Sequence, residues 1–419
     1  MATTRDVARN VPGGSPRRPA RPAVTELRLS AFASHRGAVY PLGPVTLFTG
    51  ASGSGKSSAL RAFEALARLG AGEDLASAFP DAVGCVPERA RSDAQGRRGF
   101  RIGCTVDGPA GPVHLDVAVQ AEPQLRIVGE RLTWRGRTLL TTALRDPGRS
   151  TVQAEWHTAG ATPVTRAPLP DDLLGTALLP LRVAGKTKGQ LEVLAAAEQV
   201  VVALRSVFAC DPQPRRMRAP VPTGEGRLHR GCGNLAEVLH RTRTGCPRRH
   251  ARLAAIASAG CAGPVTGLGV EELPDDTVRA VLERAARTAD FQRTEGAAPT
   301  EERGGAEGSP EAARLLAATP LGRLGDGELR YLALALVLLT GPGVLAMDQL
   351  AEVPDAMKTL SVLVDGVDRG LDRRQVRALL GLAADICADG HIRLVGTIGE
   401  AAAAEARETP GVSVVDLEP

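Results

Sequence analysis

Apolar and polar residues alternate through much of the first third of the chain, the period of half-buried strands. Leu27 and Leu29 alternate with Glu26, Arg28 and Ser30, which predicts an edge-type strand. Val45 to Phe48 is a short apolar run that ends at Gly50. Phe100, Ile102, Cys104 and Val106 alternate again, Asp107-Gly108-Pro109 makes a turn, and Val113, Leu115, Val117 and Val119 carry the period onward. Leu125 to Trp134 adds another such run. Together these predict an antiparallel β-lobe.

Helical spacing appears between and after these strands. Leu60, Phe63, Leu66 and Leu69 recur every three residues, and Gly70 ends that helix. From about Leu173 the period changes from two to helical, and Leu191, Leu194, Val201, Leu204 and Phe208 predict one long helix before Pro212. Asn234 reads as the N-cap of a helix carrying Leu235, Val238 and Leu239. Asp275 or Asp276 reads as the cap of another, with Val278, Val281, Leu282 and Ala285. The longest apolar run, Leu332 to Met347, is broken by Thr340-Gly341-Pro342-Gly343, so it predicts a helix and then a strand, Val344 to Met347, not a membrane span. A helix from about Asp372 carries Val376, Leu379, Leu380, Ala383 and Cys387, and strands follow at Ile392–Thr397 and Val412–Val415.

Two stretches have no period. Residues 1–22 are rich in Pro, Arg and Gly and predict a disordered tail, and the Gly/Glu/Thr/Pro-rich residues 292–312 predict a flexible linker. The resulting division is a tail at 1–22, a first part of a nucleotide-binding head with its β-lobe at 23–167, a helical insertion at 168–317 and the second part of the head at 318–419.

Composition adds limits. Aromatic residues are 3% of the chain, which argues against base stacking on an aromatic platform as its main activity. A net charge of +4 says little about partners. The seven cysteines include no Cys-x-x-Cys pair and residues 1–22 lack an apolar core, which predicts a reduced, cytoplasmic setting.

The chemistry starts where the Val45–Phe48 run ends. Gly50-Ala51-Ser52-Gly53-Ser54-Gly55-Lys56-Ser57-Ser58 has the spacing of the phosphate-binding P-loop, between a strand and a helix as that motif requires. The glycines let successive N–H groups turn toward a phosphate chain. The lysine reaches the β and γ phosphates, the Ser57 hydroxyl holds Mg²⁺, and the following helix sets its positive end under the phosphates. ATP with Mg²⁺ is the expected cofactor. Asp348, after four apolar residues, is the expected second Mg²⁺ residue, holding the ion through water beside Ser57.

Leu324-Gly325-Asp326-Gly327-Glu328, ahead of an apolar helix, resembles the signature motif of ABC and SMC ATPases. Gly231-Cys232-Gly233-Asn234-Leu235 and Ile127-Val128-Gly129-Glu130-Arg131-Leu132 are similar to segments of bacterial AAA-family predicted ATPases with an ABC/SMC-like head. The resemblance implies an α/β P-loop NTPase with a central, mostly parallel sheet, an antiparallel β-lobe and a helical insertion. It implies a head that dimerises on ATP, with the P-loop of one copy facing the Leu324–Glu328 motif of the other, and Asp355 as the D-loop aspartate. The chain departs from the family at three places. Gly325 replaces the signature serine, Gln349 stands where the catalytic Glu is usual, and Ile398 stands where a switch histidine is usual. Loss of a general base removes about 10²–10⁴-fold in rate, so slow hydrolysis is expected, with Glu352 as the alternative base.

Residues 213–252 hold ten Arg, readable as a patch for DNA or RNA phosphates or as a solvated helical face. His229, Cys232, His240, Cys246 and His250 lie in the same region at spacings that match no zinc finger. Two functions remain: an ATP-binding, slowly hydrolysing switch acting on nucleic acid, or an ATP-gated dimeric scaffold for a protein partner. A small-molecule phosphotransferase would leave Leu324–Glu328 without a role.

Overall fold

The computed structural model describes residues 21–159, 163–285, 318–350 and 353–418. The first strands and helices are β1 (Ala23–Ser30), β2 (Ala38–Pro41), β3 (Val45–Thr49), α1 (Lys56–Gly70) and α2 (Leu75–Ala78). Six strands of the lobe follow: β4 (Arg98–Asp107), β5 (Val113–Glu122), β6 (Arg126–Trp134), β7 (Arg137–Ala143), β8 (Thr151–His157) and β9 (Val164–Pro170). Next come α3 (Gly175–Arg182), α4 (Lys188–Arg205), β10 (Val207–Cys210), α5 (Pro214–Met217), β11 (Val221–Pro222), α6 (Leu235–Gly245), α7 (Pro247–Gly260), β12 (Val265–Glu272) and β13 (Thr277–Arg284). After the undescribed stretch stand β14 (Ala318–Pro320), α8 (Asp326–Leu339), β15 (Leu360–Val364), α9 (Arg373–Ala388), β16 (Ile392–Thr397), α10 (Glu400–Glu408) and β17 (Val412–Asp416).

The lobe is an eight-stranded antiparallel sheet in the order β2-β1-β4-β5-β6-β7-β8-β9. Its alternating sequence needs one buried face and one open face, as antiparallel sheets allow. The central sheet is five-stranded, in the order β10-β15-β16-β3-β17, and every pairing in it is parallel. A parallel sheet is covered on both faces, so its strands read as unbroken apolar runs. Val45–Thr49 and Leu360–Val364 are buried at every position.

Side-chain alternation deals each central strand between two cores. Phe48, Leu363 and Val395 join the core on the side of α1, α4 and the lobe, with Phe63, Leu66, Val200 and Leu204. Leu47, Val362 and Leu394 join the core on the other side, under α8 and α9, with Leu329, Leu336, Leu379 and Leu380. The phosphate loop therefore leaves a strand fixed on both faces.

Several elements differ from the sequence expectation. The long helix stops at Arg205, and Phe208 lies in β10. The segment with Val278, Val281 and Leu282 is strand β13, paired antiparallel to β12. Asp275 and Asp276 form its turn. Asp276 takes the left-handed φ of 59°, and Asp275 accepts from the Thr277 hydroxyl at 2.6 Å. The 168–317 region is thus not only helical: it holds β10 of the central sheet and the strands β11, β12 and β13 of a small antiparallel sheet, which β14 joins from just beyond it. Val344–Met347 is not a strand of the central sheet; it makes one isolated bridge, Leu345 with Leu228. The missing strand is Leu360–Val364. The linker at 292–312 and residues 1–20 of the tail lie outside the described residues.

Candidate functional site

The loop between β3 and α1 is shaped by the glycines its spacing requires. Gly50 has φ 140°, and a Cβ there would lie 2.4 Å from the Leu417 carbonyl oxygen. Gly55 has φ 98°, and a Cβ there would lie 2.3 Å from Ser34 Oγ and 2.7 Å from His35 Nε2. His35 supports this turn: its Nε2 lies 3.1 Å from the Gly55 carbonyl oxygen and its Nδ1 2.8 Å from the Tyr40 hydroxyl. Burial pushes the His35 imidazole below its ordinary pKa, and the contact with the Gly55 carbonyl pulls the other way. Lys56 folds back on the loop and donates to the carbonyls of Gly50 at 2.5 Å and Ala51 at 2.8 Å.

Three strand ends meet beside the loop. Ser57 Oγ donates to Asp365 Oδ1 at 3.1 Å. Thr397 Oγ1 donates to the same oxygen at 2.7 Å and accepts from the Gly366 amide at 2.7 Å. Asp365 follows β15 and Thr397 ends β16, which lies between β15 and the P-loop strand. Together the hydroxyl of Ser57 and the carboxylate of Asp365 offer hard oxygen ligands of the kind Mg²⁺ takes.

Asp348 is therefore corrected as the acid beside Ser57. It sits in a 3₁₀ turn with its side chain 93% exposed and pairs with Arg227 at 2.8 Å. The signal missed was Leu360-Ser361-Val362-Leu363-Val364-Asp365, a longer buried run ending in Asp. Two other placements fall with Asp348. Gln349 is exposed and lines a groove with Glu64, Arg68 and Met347, apart from the Ser57–Asp365 contact. Asp355 is exposed and pairs with Lys358 at 2.8 Å. Glu352 lies outside the described residues. Counting seven residues from Asp365, as Asp355 was counted from Asp348, gives Asp372. That residue caps α9, its side chain accepting from the Gln375 amide at 2.8 Å.

The Leu324–Glu328 segment starts α8. Glu328 accepts from the Gly325 amide at 3.1 Å and from the Ala262 amide at 2.8 Å. Arg218 donates to the carbonyls of Gly322 and Leu324, both at 2.7 Å, and pairs with Asp326 at 2.5 Å. A Cβ at Gly327 would lie 2.0 Å from the Gly370 carbonyl oxygen, so the helix start packs on the loop that follows Asp365. Among the described residues, none of these hydrogen bonds reaches Gly50–Ser58 of the same chain. One turn into α8, Arg330 is buried and donates to the carbonyls of Pro212 at 2.8 Å and Gly366 at 3.1 Å.

An open cavity of about 180 Å³ adjoins the Ser57–Asp365 contact, and Glu64, Asp211, Arg230 and Arg369 also line it. Arg230 makes a two-pronged pair with Glu64 of α1. Of the arginines at 213–252, Arg218, Arg227, Arg230 and Arg241 bond to groups of their own chain, which leaves fewer of them for a phosphate-binding face. Cys232 is buried with its Sγ 3.9 Å from Cys210 Sγ, and His250 Nε2 bonds to the Leu268 carbonyl at 2.8 Å.

The P-loop strand within a five-stranded parallel sheet, and the serine-to-aspartate contact across its strand ends, define an α/β P-loop NTPase-like fold. No protein-family model and no curated protein matches the chain. Solved structures do. The chain is similar to the SMC head domain from Thermotoga maritima, at 12% identity over 91% of each chain with a TM-score of 0.39. It is similar to an SmcHead bound to the C-winged helix domain of ScpA, at 13% identity over 90% of each chain with a TM-score of 0.45. It is also similar to an Smc head domain with an extended coiled coil bound to the C-terminal domain of ScpA derived from Pyrococcus furiosus, at 11% identity over 92% of each chain with a TM-score of 0.45.

Proposed function

We propose that the chain binds ATP with Mg²⁺ on the Gly50–Ser58 loop and acts as an ATP-dependent dimerising head that hydrolyses slowly. The observation that carries this is the Ser57–Asp365–Thr397 cluster at the mouth of the loop. The loop amides and the Lys56 ammonium hold the phosphates, and Ser57 and Asp365 hold the metal. Mg²⁺, when bound, neutralises phosphate charge.

The usual place of the base, directly after Asp365, holds no carboxylate, which favours slow turnover. In the family the chain resembles, the residue after the strand-end aspartate supplies the base. Here it is Gly366, and the Arg369 guanidinium lies 3.0 Å from where its Cβ would be. Ile398, after Thr397, is buried and cannot serve in place of a histidine. Dimerisation is what the resemblance of Leu324–Glu328 to a signature motif implies, and that segment's hydrogen bonds leave it free to face the nucleotide of another copy. A second copy of this chain is the partner this favours. Among the described residues, no helix is long and apolar enough to cross a membrane.

Two measurements test the reading. Lys56→Ala removes a charge-assisted phosphate contact, and with it two hydrogen bonds confined to the phosphate loop. Its binding of a fluorescent ATP analogue should vanish while its melting temperature holds, and wild-type affinity in that variant would sink the P-loop reading. Sedimentation with a non-hydrolysable ATP analogue should show a dimer, and a monomer with and without nucleotide at tens of micromolar would refute the dimer.

A further inference from the structure

We propose that Asp211 is the carboxylate that takes the proton from the attacking water in this site. The proposal rests on the Mg²⁺-ATP reading above. Strands β10 and β15 are parallel neighbours, with Cys210 opposite Val364. Asp211 and Asp365 are the next residues outward on the two strands, so their backbones stand about 5 Å apart. Both line the cavity beside Ser57.

Three carboxylates line that cavity, and two are already committed. Glu64 holds Arg230 with both oxygens. Asp365 accepts from Ser57 and Thr397. Among the described residues, Asp211 has Arg330 at 4.0 Å as its ion-pair partner, and its side chain is 46% exposed. A carboxylate with spare acceptor capacity at the reaction centre is what a general base requires.

Asp211 is also held in place. Its amide donates to the Arg230 carbonyl at 2.9 Å. Arg330 bonds the carbonyls of Pro212 and Gly366, the residues just past Asp211 and Asp365. It thereby fixes the spacing between the two strand exits. Arg330 is a positioning residue, and it belongs to the helix that the Leu324–Glu328 segment opens. Closure of a second copy on that segment would act on Asp211 through this guanidinium.

The step is a hydrolysis. The water oxygen bonds to the γ phosphorus, and the bond from γ phosphorus to the β–γ bridging oxygen breaks. The electron pair leaves on the ADP β phosphate, and the proton lost by water goes to Asp211 and then to the released phosphate.

The test uses the full chain in single-turnover hydrolysis of Mg²⁺-ATP, with analogue affinity, Mg²⁺ half-saturation and melting temperature followed in parallel. Asp211→Asn should lower the hydrolysis rate about 10²–10⁴-fold, leaving analogue affinity and Mg²⁺ half-saturation unchanged. Asp211→Glu keeps a carboxylate and should recover part of the rate. Wild-type turnover in Asp211→Asn overturns the proposal. So does a loss of turnover that comes with a raised Mg²⁺ half-saturation, which would make Asp211 a metal residue. A wild type that binds ATP without hydrolysing it also overturns it while leaving the binding reading intact, whereas a wild type that binds no ATP overturns the binding reading itself. Should Asp211→Asn melt below the assay temperature, Asp211→Ser takes its place: a rate lowered at unchanged affinity supports the base, and a wild-type rate contradicts it.

Discussion

At the residue scale, the phosphate loop is held as much from beneath as by its own glycines. Gly55 turns into α1 at φ 98° against Ser34 and His35, so even a methyl group has no room. Gly55→Ala adds a backbone strain of about 1–3 kcal/mol to that clash and should abolish binding of a fluorescent ATP analogue. Retained binding would mean the loop relaxes freely. His35 adds a pH dependence. Its folded pKa lies below the unfolded 6.5, so the unfolded chain takes up the proton first as pH falls. Its contribution is fully present above about 6.5 and is lost as pH falls from there through the folded value. Thermal melts of wild type and His35→Gln should diverge at neutral pH and converge below that window. The glycine spacing made the loop legible in sequence. His35 was not, because a lone histidine between two strands carries no local pattern.

At the element scale, a buried carboxylate joins the lobe to the start of α3. Glu130 of β6 accepts from the amides of Gly175 at 2.6 Å and Thr176 at 2.7 Å, and from the Thr176 hydroxyl. Burial pushes the Glu130 carboxyl up, and those donors pull it back toward the charged form. Glu130→Gln sets an NH₂ group among three donors, so one donor loses its acceptor. The cost should be about 1–3 kcal/mol in denaturant unfolding. An unchanged midpoint would show that the contact is not strained by the amide.

Helices with a full apolar stripe, α1 and α9, were readable to within a residue or two, as were β16 and β17. The failures share one cause. Val278, Val281 and Leu282 fit a helical stripe, yet Val278, Ala280 and Leu282 fit a strand equally, and the short run settled nothing. Its pairing with β12 decided it. Asp348 and Asp365 both end apolar runs. Only the parallel pairing of β15 with β10 and β16 distinguishes a central strand from a loop crossing the surface.

At the scale of the whole molecule, the inner strands β3 and β15 are buried on both faces, and the functional groups collect where the strands end. Ser57 comes from the P-loop, Asp365 from β15, Thr397 from β16 and Asp211 from β10. Their sequence separations run to hundreds of residues, so no local motif could have joined them. The most direct test of this assembly is the Mg²⁺ dependence of ATP binding in wild type, Asp365→Asn and Asp348→Asn. Asp365→Asn should weaken Mg²⁺-dependent affinity about 10–100-fold, the range seen when a group that orients a metal's ligands is lost, and Asp348→Asn should bind as wild type does. The reverse pattern, with Asp348→Asn impaired and Asp365→Asn intact, would contradict the site as built here.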